Sequence, residues 1–424
     1  MGPHPPPRLA LKTLGCKVNQ YDSQEIREAF EQAGYVLVPF EEAADVYVIN
    51  SCTVTGQADK DARKLARNAK RRSPGALVVM TGCYAATQPE AVRGIPEVDL
   101  VVPKMGTDAL FVPDNDPQAA LVACVQGRKE GLSLFSGHAR AFVKVQDGCD
   151  AACAYCVVPL ARGPSRSRPL PEALAQVAQF VRAGHREVIL VGVHLGMYGQ
   201  DLAPPVTLAE LVRQCLRVKG LGRLRLSSIE PREVTDELVE LIAENAPRPG
   251  QPGPFLCRHL HIPLQSGDDE TLRRMGRPYE AAFFSELIRR AAARVPGIAL
   301  GADVMIGFPD ESDEAFANTV RLLEALPLAY LHVFRYSRRP GTAAASWPDQ
   351  IPSAVKKQRS AVLRDLSEAK WREFRRSQER HELQVIVERP SEDTVVGLSD
   401  NYLELELPGC AAARGELVWV PAGG

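Results

Sequence analysis

Beyond residue 140, short apolar runs recur six times at long intervals: Phe142–Val145, Glu187–Val191, Arg223–Ser227, His259–Leu264, Ala299–Ile306 and Tyr330–Arg335. Helical patterns lie between them, for example Pro171–Arg182 and Ala281–Arg294. Strands separated by helices pair in parallel. Six such units in one region predict a barrel or partial barrel, with its chemistry at the carboxyl ends of the strands. The first hundred residues repeat the pattern on a smaller scale. Strands are expected at Leu9–Leu14, Tyr35–Val38, Val46–Asn50 and Ala76–Thr81, with helices near Asp22–Ala33 and Gln57–Arg72. The fold class is therefore α/β, with a small parallel sheet preceding a larger barrel-like unit.

The chain of 424 residues, 45% hydrophobic and 24% charged, is long enough for several cores and too apolar for disorder. Its net charge of −1 excludes neither local basic faces nor a nucleic-acid partner. No apolar run reaches the roughly 18 residues of a membrane span, and Met1–Pro7 lacks the features of a secretory signal. A cytoplasmic protein without a membrane is expected. Its ten cysteines are then reduced and available as metal ligands.

Six of those cysteines are placed suggestively. Cys16, Cys52 and Cys83 each follow an expected strand, where open α/β sheets bind ligands. Cys149, Cys153 and Cys156 form a C-x3-C-x2-C triplet just after the first strand of the larger unit. Thiolates select zinc or iron–sulfur clusters. Structural zinc wants four ligands, and no second pair is near the triplet. Three thiolates on a [4Fe–4S] cluster leave one iron open for another ligand. A structural zinc site or a redox pair is the alternative for the triplet, and buried free thiols the alternative for the first set. Cys124, Cys215, Cys257 and Cys410 have no partners in the pattern and read as ordinary thiols.

The triplet resembles the radical S-adenosylmethionine (SAM) signature, and the chain after its Pro-rich start resembles the methylthiotransferase family. Thr13-Leu14-Gly15-Cys16-Lys17-Val18-Asn19-Gln20 and Val145-Gln146-Asp147-Gly148-Cys149 are similar to the bacterial branch acting on N6-threonylcarbamoyladenosine in tRNA. The isopentenyladenosine branch and the ribosomal-protein branch are the alternatives. The resemblance implies an N-terminal three-Cys domain over 8–102, a linker over 103–137, a radical-SAM partial (β/α)6 barrel over 138–370, and a small all-β barrel of the TRAM type with its preceding helix over 371–424. It implies two [4Fe–4S] clusters, held by Cys16, Cys52 and Cys83 and by Cys149, Cys153 and Cys156. It places SAM near Tyr155, Gly192, Ser228, Glu230, Gln265 and Gly307. No acid–base residue is implied; hydrogen abstraction from C2 of adenine and sulfur insertion belong to the cofactors. Partners implied are a tRNA anticodon stem-loop and a reductant protein such as flavodoxin or ferredoxin. Two departures stand out: Asp310 replaces a family Gly after Gly307-Phe308-Pro309, and His194 stands where Asn is common.

Lys60, Arg63, Lys64, Arg67, Lys70 and Arg71 follow helical spacing with no balancing acidic run, and are expected to contact RNA phosphate. A solvated helix face is the alternative. Arg162, Arg166 and Arg168 form a second basic group, suited to RNA or SAM or to a plain surface loop. The C-terminal segment is acidic, with Asn401 and Tyr402 as a possible stacking patch.

Overall fold

A computed structural model describes residues 5–103, 131–390 and 394–420. The N-terminal sheet has strands β1 (Arg8–Thr13), β2 (Val36–Val38), β3 (Val46–Ser51), β4 (Leu77–Gly82) and β5 (Leu100–Val101), in the order β2-β1-β3-β4-β5. Every pair is parallel. The central β3 is buried along its whole length, as a strand covered on both faces must be. Helix α1 (Lys17–Gln32) starts directly after Cys16, five residues before the expected start. Its first turn carries Val18 and Tyr21 into the core of the larger unit, a tertiary contact that no local pattern reveals. Helix α2 (Gly56–Arg72) is capped by Thr55, which accepts from the Ala58 amide at 3.2 Å, and ends on Lys70, Arg71 and Arg72, whose charges suit the C-terminal dipole.

The larger unit has parallel strands β6 (Arg140–Lys144), β7 (Glu187–Val191), β8 (Arg223–Leu226), β9 (His259–His261), β10 (Ala299–Ile306) and β11 (Tyr330–Arg335). β6, β7 and β8 form one sheet, extended by Phe255–Leu256; β9, β10 and β11 form another. The Ile229 amide donates to the His261 carbonyl at 3.0 Å across the junction. β9 ends three residues sooner than expected, before Pro263, which has no amide to give a ladder. The chain rejoins at Gln265, which bridges to Val304 with φ of 69°.

Segment 103–137 is not linker throughout. Leu132 and Phe135 are buried in the larger core. Residues 104–130, including Cys124, lie outside the described residues.

β6 and β11, the first and last strands, are not paired with each other among the described residues. The N-terminal domain ties to both sides. Near β6, Lys144 bonds Asp22 at 2.5 Å and Arg168 donates to the Tyr21 hydroxyl at 2.9 Å. Beyond β11, Arg339 pairs with Asp59 at 2.7 Å and Ser337 accepts from the Gly56 amide at 3.0 Å.

The C-terminal sheet is antiparallel, with strands β12 (Leu383–Pro390), β13 (Thr394–Ser399), β14 (Glu404–Pro408) and β15 (Leu417–Val420) in the order β14-β13-β12-β15. The preceding helix runs unbroken from Ser353 to Gln378, so a boundary at 370/371 falls inside it. This domain closes the amino ends of the strands. Arg223 donates to the carbonyls of Gln384 and Leu398 at 2.6 and 2.8 Å, and Arg225 to those of Asp400 and Ser399 at 3.0 and 2.8 Å. Asn401 and Tyr402 belong to this closure and are no RNA-stacking patch. Asn401 is buried and bonds Gln378 at 2.9 Å, and the Tyr402 ring stacks on His259 with centroids 4.2 Å apart.

Candidate active site

The first three cysteines converge as the strand ends require. Gly15 has a φ of 96°, and a Cβ there would stand 2.8 Å from Cys52 Cβ and 2.9 Å from its Sγ. Only glycine lets the Cys16 loop lie so close to Cys52. Asn19 joins the loops: its Nδ2 donates to the carbonyls of Leu14 at 2.7 Å and Ser51 at 3.1 Å, and its Oδ1 lies 4.0 Å from Cys83 Sγ. Asn50 donates to the Asn19 carbonyl at 2.9 Å. Cys16 is exposed, whereas Cys52 and Cys83 are buried. Burial lifts the Cys52 thiol to about 11, with Cys83 and Cys16 adding to the rise.

The second set follows β6. Gly148 turns the chain at φ of 76°, and a Cβ there would sit 1.9 Å from the Pro164 carbonyl, so no other residue fits before Cys149. Burial pushes Cys156 up to about 12, with Cys153 and Cys149 raising it further. Cys52 and Cys156 thus resist ionisation unless a cation joins them. Such thiols suit the donor set of a metal cluster.

Side chains beyond the cysteines complete this site. His194 Nδ1 lies 3.5 Å from Cys149 Sγ, and its Nε2 lies 3.5 Å from Glu233. Burial opposes charge on the ring, but Cys149 and Glu233 outweigh it and raise His194 to about 10. Arg277 donates to Cys153 Sγ at 3.4 Å and to the Tyr279 hydroxyl at 3.0 Å, and pairs with Glu230. Burial raises the Glu230 carboxyl despite that pairing. Tyr155 is half-buried, its ring edge-on to Phe308 at 6.3 Å. Among the described residues, Ser227 Oγ, Gln265 Oε1 and Glu233 Oε2 are buried without a hydrogen-bond partner. All three follow strand carboxyl ends, where a polar ligand would satisfy them.

The other expected positions lie in the same region. Ser228, beside Ser227, is exposed. Gly192 leaves room beside Gln146, whose Oε1 a Cβ would meet at 3.0 Å. Gly307 donates its amide to Glu311 at 2.7 Å, with φ of 69°. Asp310 adopts the φ of 65° that the family Gly would allow; its amide donates to the Asp349 carbonyl at 2.8 Å and its carboxylate pairs with Arg274.

Arg162 is neither an RNA contact nor a surface residue. It is buried and donates to Asp147 at 2.8 Å, to Asp22 at 3.1 Å and to Asn19. Asn19 belongs to the first cysteine site and Asp147 to the strand leading to the second. Of the α2 cations, Lys60, Lys64, Arg67 and Arg71 are exposed. Arg63 donates to the Tyr84 hydroxyl at 2.7 Å, and Lys70 pairs with Asp99 at 2.7 Å. The sequence reading missed Arg277, Glu233 and Asn19. Only the folded chain brings Arg277 to Cys153.

Residues 8–103 match the Uncharacterized protein family UPF0004, and residues 143–323 match the Radical SAM superfamily. With the triplet loop at the strand ends and a three-cysteine sheet beside it, the class is a radical-SAM enzyme with a second thiol site. The chain is 36% identical to "Threonylcarbamoyladenosine tRNA methylthiotransferase MtaB" of Bacillus subtilis (strain 168), over 97% of this chain and 93% of that protein. It is 35% identical to the protein of the same name from Aquifex aeolicus (strain VF5), over 95% and 97%. A "tRNA-2-methylthio-N(6)-dimethylallyladenosine synthase" of Desulfitobacterium hafniense (strain Y51) is 31% identical over 98% and 94%. Among solved structures, the radical S-adenosylmethionine methyltransferase TsrM from Kitasatospora setae shares the fold, with a TM-score of 0.51 and 16% identity over 80% of this chain and 75% of that one. The chain belongs to the radical-SAM methylthiotransferase family, in its MtaB branch.

Proposed function

We infer that the chain methylthiolates C2 of N6-threonylcarbamoyladenosine, 3′ of the anticodon, in tRNA. The observation that carries this is the pair of three-thiol sites set on one frame through Arg162, beside full-length likeness to the MtaB relatives. Two [4Fe–4S] clusters and SAM, when bound, supply one-electron cleavage, C–H abstraction, sulfur and methyl.

The protein residues bind and orient. Cys149, Cys153 and Cys156 hold one cluster, and Cys16, Cys52 and Cys83 the other. Arg277 donates to Cys153 and keeps Glu230 in place. Ser227, Glu230, Gln265 and the backbone at Gly192 and Gly307 form the polar wall for SAM, with Ser228 at its rim and Tyr155 offering its ring to adenine. Lys60, Lys64, Arg67 and Arg71 face the anticodon stem-loop, while Arg63 and Lys70 shape that helix. A flavodoxin or ferredoxin supplies electrons, and the reaction takes place in the cytoplasm. The strands β6–β11 make a partial (β/α)6 barrel, and the C-terminal sheet is of the TRAM type. No helix among the described residues is long and apolar enough to cross a membrane.

The test is nucleoside mass spectrometry after anaerobic turnover of reconstituted enzyme with tRNAs carrying threonylcarbamoyl- or dimethylallyl-adenosine. Methylthio gain on the threonylcarbamoyl nucleoside alone is expected. Gain on the dimethylallyl nucleoside alone would overturn the substrate, and no gain on either would overturn the activity.

A further inference from the structure

A row of side chains on the sheet β9-β10-β11 has no part in either cysteine site. In register, His261 on β9 stands opposite Gly301 on β10, and Asp303 on β10 stands opposite His332 on β11. Residues two apart on a strand share a face. His261, Asp303 and His332 therefore lie together, one from each strand. His261 Nε2 is 3.0 Å from Asp303 Oδ1, and His332 Nδ1 is 3.5 Å from the same oxygen. One donor atom from each side chain falls within 4.8 Å of the other two. A four-coordinate zinc ion with bonds of about 2.0 Å holds its donors about 3.3 Å apart. A small turn of His332, whose side chain is 60% exposed, would bring the three to that spacing.

The same sheet orients the buried ligand. The Tyr330 hydroxyl lies 3.1 Å from His261 Nδ1 and 2.8 Å from His259 Nε2. It reaches both because residue 301 is glycine: a Cβ there would overlap the Tyr330 ring. When His261 Nδ1–H donates to Tyr330, and Tyr330 donates to His259, the His261 Nε2 lone pair is left bare beside Asp303. Metal-binding histidines are held in this way, through the ring nitrogen that does not bind the ion. Run in the opposite direction, the relay puts the proton on Nε2 and closes it on Asp303 as a plain hydrogen bond. The two directions give opposite results with a cation. The exposed His332 ring gives that cation a way in from solvent.

We propose that His261, Asp303 and His332 form a site for a divalent transition cation of the zinc or iron(II) kind. Two imidazoles and one carboxylate suit such ions, whereas magnesium and calcium take oxygen ligands. Three protein ligands leave at least one position on the ion for water. The ion ties β9, β10 and β11 to one another, whichever nucleoside the enzyme modifies.

The experiment dialyses untagged, anaerobically reconstituted enzyme, its cysteines occupied by clusters, against micromolar Zn²⁺. Zinc, iron and sulfide are then counted, and zinc X-ray absorption is recorded. The wild type should keep one zinc per chain, with nitrogen and oxygen neighbours and no sulfur. Asp303→Asn should lose that zinc with its iron content unchanged. So should His332→Ala, which is exposed and tests the site without emptying a core. Tyr330→Phe should weaken zinc binding by about 10- to 100-fold, the cost of removing a ligand's supporting partner. A wild type that keeps no zinc overturns the proposal. So does zinc with sulfur neighbours, or zinc kept by either ligand variant.

Discussion

Glu187 is a fully buried carboxylate at the start of β7, bonded to Arg223 and Arg225. Burial alone would raise its pKa, but the two guanidinium groups outweigh this and hold it at about 2, against an ordinary 4.5. A depressed carboxylate stabilises the fold above its unfolded pKa, and that stability drains away as pH falls from about 4.5 to about 2. Glu187→Gln should cost about 3 kcal/mol at neutral pH, since two buried arginines lose their partner, and should flatten the acid limb. Urea unfolding of cluster-free protein across that window is the check; an unchanged acid limb would exclude the ion triad as its source. At this scale the sequence was most legible for thiols. Strand-end placement and C-x3-C-x2-C spacing singled out Cys16, Cys52 and Cys83, and Cys149, Cys153 and Cys156, without any tertiary information. Arg162 was misread because a cation in a loop looks solvated until its buried carboxylates, far off in sequence, come to it.

Helix α2 was legible as a helix from its period, and its start matches the Thr55 cap to within a residue. Which of its cations face solvent was not legible, because Tyr84 and Asp99 reach it from other elements. The exposed stripe gives a prediction that belongs to the helix as a unit. Lys64→Gln with Arg67→Gln should weaken tRNA binding and reduce the slope of log K against log salt by about 1.5. Filter binding across a salt series measures it; a parallel slope would remove α2 from the RNA interface. The start of α1 was missed for a related reason: Val18 and Tyr21 gain their partners only in the larger core.

Across the whole molecule, domain order was readable from strand spacing, but the joints were not. Joints are made by single polar side chains, which leave no periodic trace. Arg162 is the clearest case, spanning Asn19 and Asp22 on one side and Asp147 on the other. Arg162→Met should cost about 3 kcal/mol, since Asp22 and Asp147 lose their guanidinium partner and keep Lys144 between them. It should also lower the unfolding temperature of the N-terminal domain relative to the barrel. Scanning calorimetry should then resolve the endotherm into two; one unshifted endotherm would show that the joint carries no coupling.

The closure of the strand amino ends has a consequence for how such a protein drifts over generations. Arg223 and Arg225 grip four main-chain carbonyls of the C-terminal domain, those of Gln384, Leu398, Ser399 and Asp400. A main-chain carbonyl is present whatever residue bears it. The arginine grip therefore asks only that the segment keep its path, while its buried side chains answer to other partners: Ser399 Oγ donates to Asn401 Oδ1 at 2.7 Å, and the Asp400 carboxylate holds Arg258 at 2.7 Å. Any exchange in that segment that spares its backbone path leaves the grip itself intact.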